Sequence, residues 1–290
     1  MDRIVSFLFA LSLVFASESI QAGDTLKLSQ GFEKQVLGQE LSVLREAMFS
    51  ASAADVLNKE FQQINSPRPN LGFNKGALWV KTSIQNLSQN EKYRIQIHQP
   101  LLDTIKVFVL NEQAQIVDEK IFGESLNFQH REYSAPPFIL DLEIPQGEVR
   151  TVLLRITTAE QIVLPLYVTT IRASEKLMLI TNLLFGGYFG LIIAMALYNF
   201  FIFLTVRDRS YLIYVLYIIA VGSTQAVLEG YLQQFLWPEN TWLASRSPYL
   251  FTAVLSITSV IFLQDFLKTK TFAPRVNQSA WFIHAYFIFI

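Results

Sequence analysis

The chain has 290 residues, is 51% hydrophobic and 16% charged, carries a formal net charge of −1, and contains no cysteine. A balance this close to neutral argues against a nucleic-acid binder, and the missing cysteines exclude disulfides, thiolate metal sites and a cysteine nucleophile. These averages conceal two unlike halves: residues 23–176 hold 16 Lys/Arg and 18 Asp/Glu, whereas residues 177–290 hold only 6 and 4.

Residues 1–22 read as a secretory signal, with Arg3 in the positive region and Ile4–Phe15 as the apolar stretch. Cleavage is placed after Ala22, with Ser19 as the alternative and an uncleaved anchor as the competing reading. Export would set residues 23–175 outside the cytoplasm as a sensor domain held together by its apolar core alone.

That domain reads as strands. Leu78–Gln85, Tyr93–His98, Thr104–Leu110, Ile116–Ile121, Phe138–Ile144, Val149–Thr157 and Ile162–Ile171 are rich in β-branched and aromatic residues, and several alternate in polarity. Turn residues separate them, including Asn86 to Asn90, Pro100, Pro136-Pro137 and Pro145-Gln146-Gly147. Short strands with regular turns imply an all-β, antiparallel sandwich. Ser52–Phe61 is the one expected helix, with Ser52 or Asp55 near its start.

No catalytic constellation emerges. His98, His130 and His284 have no metal-ligand spacing, and neither a nucleophile elbow nor a phosphate-cradling glycine loop is present. Asp141 and Glu143 share a strand face, which reads as solvated rather than as a catalytic pair. The domain is expected to bind or transmit, not to catalyse, and no cofactor is expected. Candidate ligand contacts are His130, Arg131 and Tyr133, in a polar loop that otherwise reads as plainly solvated. Trp79, central in its strand, reads first as core and second as a stacking platform for a sugar.

From Lys176 to Arg207 there are 30 residues without a charged side chain. A membrane-crossing helix needs about 20 apolar residues, so residues 177–206 form a first span. Spans at about 211–228 and 247–264 follow. A fourth begins at Trp281 and runs for ten residues, a reading in which the chain is a fragment of a longer one. Arginines at 207 and 209, and Lys268, Lys270 and Arg275 further on, mark cytoplasmic loops. A membrane crossed more than once, with the N-terminal domain outside the cytoplasm, is the expected location. Trp237 and Trp242 suit an outer interfacial belt. Asn199, Thr224 and Gln225 read as interhelical hydrogen-bonding groups, and Gly186, Gly187 and Gly190 as a stripe for close helix packing.

Two sets of motifs resemble bacterial seven-transmembrane receptors with diverse intracellular signalling modules, of the type bearing the second kind of extracellular domain. In the first half these are Asn70-Leu71-Gly72-Phe73, Gly76-Ala77-Leu78-Trp79-Val80, Gln99-Pro100-Leu101-Leu102-Asp103 and Val163-Leu164-Pro165-Leu166. In the second they are Gly187-Tyr188-Phe189-Gly190, Ala196-Leu197-Tyr198-Asn199-Phe200, the run Arg207-Asp208-Arg209-Ser210-Tyr211-Leu212-Ile213-Tyr214, and Leu236-Trp237-Pro238. Tyr198, Asn199, Arg207, Asp208, Arg209 and Tyr211 form the transmembrane signature.

The resemblance implies a periplasmic jelly-roll-like sandwich similar to carbohydrate-binding modules, on a chain seated in the bacterial inner membrane. It would sense a small molecule or carbohydrate and signal through the bilayer-embedded helices to a diguanylate cyclase or histidine kinase. A cytoplasmic signalling partner or a homodimer would be the protein partner. A transporter component with a periplasmic binding domain is the alternative, opposed by the scarcity of intramembrane charge; a membrane-tethered enzyme is a third reading, opposed by the missing catalytic groups.

Overall fold

The computed structural model describes residues 25–46, 52–64, 66 and 68–289; the signal-sequence reading of residues 1–22 lies outside them. Among the described residues, thirteen strands precede the long helices: β1 (Leu26–Leu28), β2 (Lys34–Leu37), β3 (Ser42–Glu46), β4 (Gln62–Gln63), β5 (Asn70–Gly72), β6 (Ala77–Asn86), β7 (Lys92–Ile97), β8 (Thr104–Leu110), β9 (Ile116–Phe122), β10 (Phe138–Glu143), β11 (Val149–Thr157), β12 (Ile162–Val163) and β13 (Leu166–Thr170). They form a seven-stranded sheet ordered β4-β3-β6-β11-β8-β9, with β1 joining β6, a four-stranded sheet ordered β10-β7-β13-β2, and a two-stranded pair of β5 with β12. Pairing is antiparallel except between β1 and β6, which run parallel. The strands expected from β6 onward are present, and the strands before β6 are additional. Leu164-Pro165 divides the last expected strand into β12 and β13, as a residue lacking an N–H should.

Alternation decides what each face buries. Leu78, Val80 and Ile84 of β6 and Ile105, Val107 and Val109 of β8 enter the core between the sheets, against Ile95, Leu140 and Val168 from the smaller one. Trp79 and Phe108 point the other way and are covered by the short helix α1 (Ala53–Leu57), through Ala53 and Val56. α1 begins as expected: Ser52 accepts from the Asp55 N–H and the Asp55 carboxylate accepts from the Ser52 N–H, a capping box.

The remaining helices are α2 (Ile171–Val206), α3 (Arg209–Leu228), α4 (Tyr231–Phe235), α5 (Thr241–Phe266), α6 (Thr269–Phe272) and α7 (Pro274–Phe289). Of these α2, α3 and α5 are long and apolar enough to cross a membrane. α2 follows β13 without a linker, capped by the Thr170 hydroxyl, which accepts from the Ala173 N–H. At 1.5 Å per residue, its 36 residues exceed what the bilayer core requires, so its first turns stand among the sandwich loops.

α5 starts before the expected position and passes through Pro248. A proline there leaves the Ala244 carbonyl without its usual N–H donor; the Ser247 hydroxyl donates to that oxygen instead, over 3.0 Å.

α3 packs against both α2 and α5. Ala196, Val215 and Ile218 form its cluster with α2; Tyr217 stacks on Phe262 at 5.0 Å between ring centres, and the Thr224 hydroxyl donates to the Phe251 carbonyl across helices. The expected glycine stripe has a different outcome. A Cβ added at Gly186, Gly187 or Gly190 would meet nothing, whereas at Gly222 it would come within 2.9 Å of the Ile192 side chain. Close approach therefore occurs at Gly222, where α3 meets a β-branched residue.

The transmembrane-signature residues divide by role. Arg207 takes a left-handed conformation at the end of α2, and Asp208 caps α3 by accepting from the Ser210 N–H. Arg209 pairs with Asp265 of α5 at 3.1 Å. Asn199 donates to the Met195 carbonyl of its own helix, Tyr198 points outward, and Tyr211 is half-buried.

Candidate functional site

A cleft of about 560 Å³ opens on the flank of the sandwich, where edge strand β9 faces edge strand β10. Its volume lies within the roughly 300–1,000 Å³ usual for small-ligand sites. Asp118 and Lys120 line it from β9, Asp141 and Glu143 from β10, Lys92 from β7, Arg150 from β11, and Ile171, the first residue of α2. Asp141 and Glu143 do share a face, and both are exposed.

One network is built on Asp141 of the cleft lining. Arg94 of β7, almost buried, donates through Nε to Asp141 Oδ1 at 2.9 Å and through Nη2 to the Tyr133 oxygen at 2.9 Å. The Tyr133 hydroxyl donates to Asp141 Oδ2 at 2.5 Å. Burial raises the Asp141 pKa, but the bonds from Tyr133 and Arg94 outweigh it and hold the carboxylate below its ordinary range. Burial works in the same way against Lys120, where Glu132 prevails and raises its pKa.

β7 continues this network towards the helix. Arg94, Gln96 and His98 alternate onto one strand face, and that face meets the first turn of α2. Gln96 Nε2 donates to Ser174 Oγ at 2.6 Å, and Arg94 Nη1 reaches the same oxygen at 3.5 Å. The His98 ring sits edge-on to Tyr167 and bonds Gln96 Oε1 through Nε2. Because Gln96 turns its amide N–H₂ to Ser174, its oxygen is left to accept from a neutral His98. Burial, aided by Lys34, pushes the His98 pKa down to about 4.

The loop bearing the candidates spans two surfaces. Glu132 and Tyr133 bond to two residues of the cleft lining, Lys120 and Asp141. Arg131 faces the opposite way, its guanidinium over the rings of Phe128 and Phe138 at 4.2 and 4.4 Å and donating to the Ala135 and Pro136 carbonyls and to Gln233 Oε1 of α4. More contacts follow on that side. The Phe128 N–H donates to the Pro238 carbonyl at 2.8 Å, Gln129 to Glu239 at 2.8 Å, and Gln234 to the Ser134 carbonyl at 3.0 Å. Gly230, at positive φ before α4, sits where a Cβ would come within 2.8 Å of Pro100 and 3.4 Å of Pro136. This is a joint between the sandwich and the segment linking α3 to α5.

Of the candidate ligand contacts, Tyr133 bonds to Asp141 of the cleft lining, Arg131 lies in the joint, and His130 is exposed at the end of a 3₁₀ turn (Phe128–His130). Trp79 is fully buried and its indole N–H donates to Glu46 at 2.9 Å. It is core, the first of its two readings, because α1 covers the face it occupies. Sequence reasoning missed Arg94, Gln96 and Ser174. Strict alternation from Tyr93 to His98 did signal a strand with one polar face, but not that the helix following β13 would cover it. Trp237 bears partly on the joint: its ring meets Phe251 of α5 at 6.1 Å, while Trp242 is exposed beneath Arg246.

Comparison with known proteins adds the following. Residues 38–170 match the family model described as 7TMR-DISM extracellular 2, and residues 181–290 match 7TM diverse intracellular signalling. No curated protein matches the chain. Among solved structures, a β-glucuronidase from Ruminococcus gnavus in complex with D-glucuronic acid aligns at 9% identity and a TM-score of 0.31, covering 52% of this chain and 32% of that one. A protein described as a β-galactosidase from Bacteroides fragilis aligns at 10% identity and 0.30, covering 47% and 23%. The chain thus spans a third or less of those proteins, and at such scores they bear on neither fold nor function. The two family domains, in this order on one chain, are those of membrane receptor-type sensors, and the protein belongs to the seven-transmembrane receptors with diverse intracellular signalling.

Proposed function

We propose that the protein is a multi-pass inner-membrane receptor that captures a small polar ligand, such as a carbohydrate, in the β9–β10 cleft outside the cytoplasm. Occupancy of the cleft shifts how the sandwich sits on α2, α4 and α5, and the helices carry that shift to a cytoplasmic output, a cyclase or kinase domain or a separate signalling partner. One observation supports this above others: Tyr133 in the cleft network and Arg131 in the joint are two residues apart in a single loop. A ligand that competes for Asp141 or Lys120 pulls on that loop and, through Arg94, on the first turn of α2. Such a ligand acts only through a difference in affinity between two arrangements.

The test is a thermal-shift screen of sugars, sugar acids and other small polar metabolites against the whole chain in nanodiscs. Ligands that stabilise the wild type and lose their effect in Lys120→Ala and Asp141→Asn support the cleft. Ligands that stabilise both variants equally well bind elsewhere and defeat the proposal.

A further inference from the structure

We infer that Glu124 makes the joint between the sandwich and α4 a proton-sensitive latch that tightens as the pH falls. Glu124 follows β9 and is 3% exposed. Its main chain is held on both sides: its N–H donates to the Leu102 carbonyl at 2.9 Å, and its own carbonyl accepts from Gln233 Nε2 of α4 at 3.3 Å. Gln233 also accepts from Arg131, so Glu124, Gln233 and Arg131 form one bridge from sandwich to membrane domain. Gly123 before it approaches the neighbouring loop so closely that a Cβ would lie 2.0 Å from the Asp103 carbonyl oxygen. Glu124 therefore enters the joint from a backbone set tightly against the Asp103 loop.

The charged groups around it come from three loops and a helix. Asp103, whose carboxylate accepts from the Ala159 N–H at 2.8 Å, places a negative charge close by, which disfavours a second one at Glu124. Glu160 stands nearby, bonded to the Tyr249 hydroxyl of α5, and Arg131 sets a positive charge close to the group. Burial, reinforced by Asp103 and Glu160 and opposed by Arg131, pushes the Glu124 pKa up to about 8. Opening the joint exposes the carboxyl to water and releases its proton at neutral pH. Closing takes that proton up, and a one-proton linkage changes the closing equilibrium tenfold per pH unit, in favour of closure as pH falls. His98, with its low pKa, changes charge below this window.

The experiment is hydrogen exchange of residues 231–240 in the whole chain in nanodiscs between pH 6.5 and 8, corrected for the intrinsic pH dependence of exchange. In the wild type, protection should fall about tenfold per pH unit, and in Glu124→Gln it should be flat. Asp103→Asn, which removes a neighbouring charge but keeps an acceptor for the Ala159 N–H, should move the end of the sloping region to lower pH. A flat wild-type profile overturns the inference, as does a slope that survives in Glu124→Gln or an end point unmoved in Asp103→Asn. No ligand in the cleft is required, so failure here leaves the receptor reading standing.

Discussion

Gln96 Nε2 donates to Ser174 Oγ over 2.6 Å, with both residues completely buried. This bond ties a strand of the smaller sheet to the first turn of the helix that leaves the sandwich for the membrane. Since β13, which pairs with β7, continues directly into α2, the helix is held to the sheet at two adjacent points.

Ser174→Ala removes the shared acceptor and leaves the Gln96 amide buried without a partner. The expected loss is about 1–3 kcal/mol, read from chemical unfolding of the sandwich monitored by tryptophan fluorescence. A loss within error of zero would show that the contact does not hold the helix.

Tyr133→Phe deletes the hydroxyl between Arg94 and Asp141 while keeping the ring over the guanidinium, 4.5 Å away. Asp141 loses one of the two bonds that hold its pKa down, so its pKa should rise, and stability should drop by about 0.5–1.5 kcal/mol, the net worth of a hydrogen bond at a partly exposed site. Carboxyl titration by carbon-13 NMR measures the first effect and denaturant unfolding the second.

His98 gives a pH dependence of definite sign. Its ordinary pKa of 6.5 falls to about 4 in the folded protein, so the folded state binds fewer protons between these values. Stability contributed by the neutral ring is complete above pH 6.5 and is lost progressively as the pH falls towards 4. His98→Asn should show a shallower decline of unfolding midpoint over that range than the wild type.

Gly230→Ala places a methyl group against Pro100 at a residue with φ of +79°. Strain and overlap together should open the joint, seen as faster hydrogen exchange in residues 128–136 and 231–240, with β11 unchanged.

Legibility in the sequence followed the range of the interactions involved. Strands from β6 onward and the three long helices show in local periodicity and charge spacing, and the Ser52 cap shows in a four-residue pattern. β1 to β5 are short and pair with distant partners, so nothing within Leu26–Gly72 marks them. α4 fills a loop in which neither length nor polarity announces a helix. Loop 127–136 stood out for its polarity, but its division between cleft and joint depends on β9 and α4, segments on either side of it in the chain. Glu124 reads in sequence as an ordinary loop carboxylate; its burial comes from Leu102, Gln233 and Arg131 closing around it.

The claim on which the account rests is that cleft and joint move together. Hydrogen exchange over the whole chain in nanodiscs, with and without a cleft ligand from the screen, tests it directly. The account predicts altered protection in β9 and β10, and also in residues 128–136, in α4 and in the first turn of α2. Changes confined to β9 and β10, with the joint and α2 unaffected at saturating ligand, would contradict it.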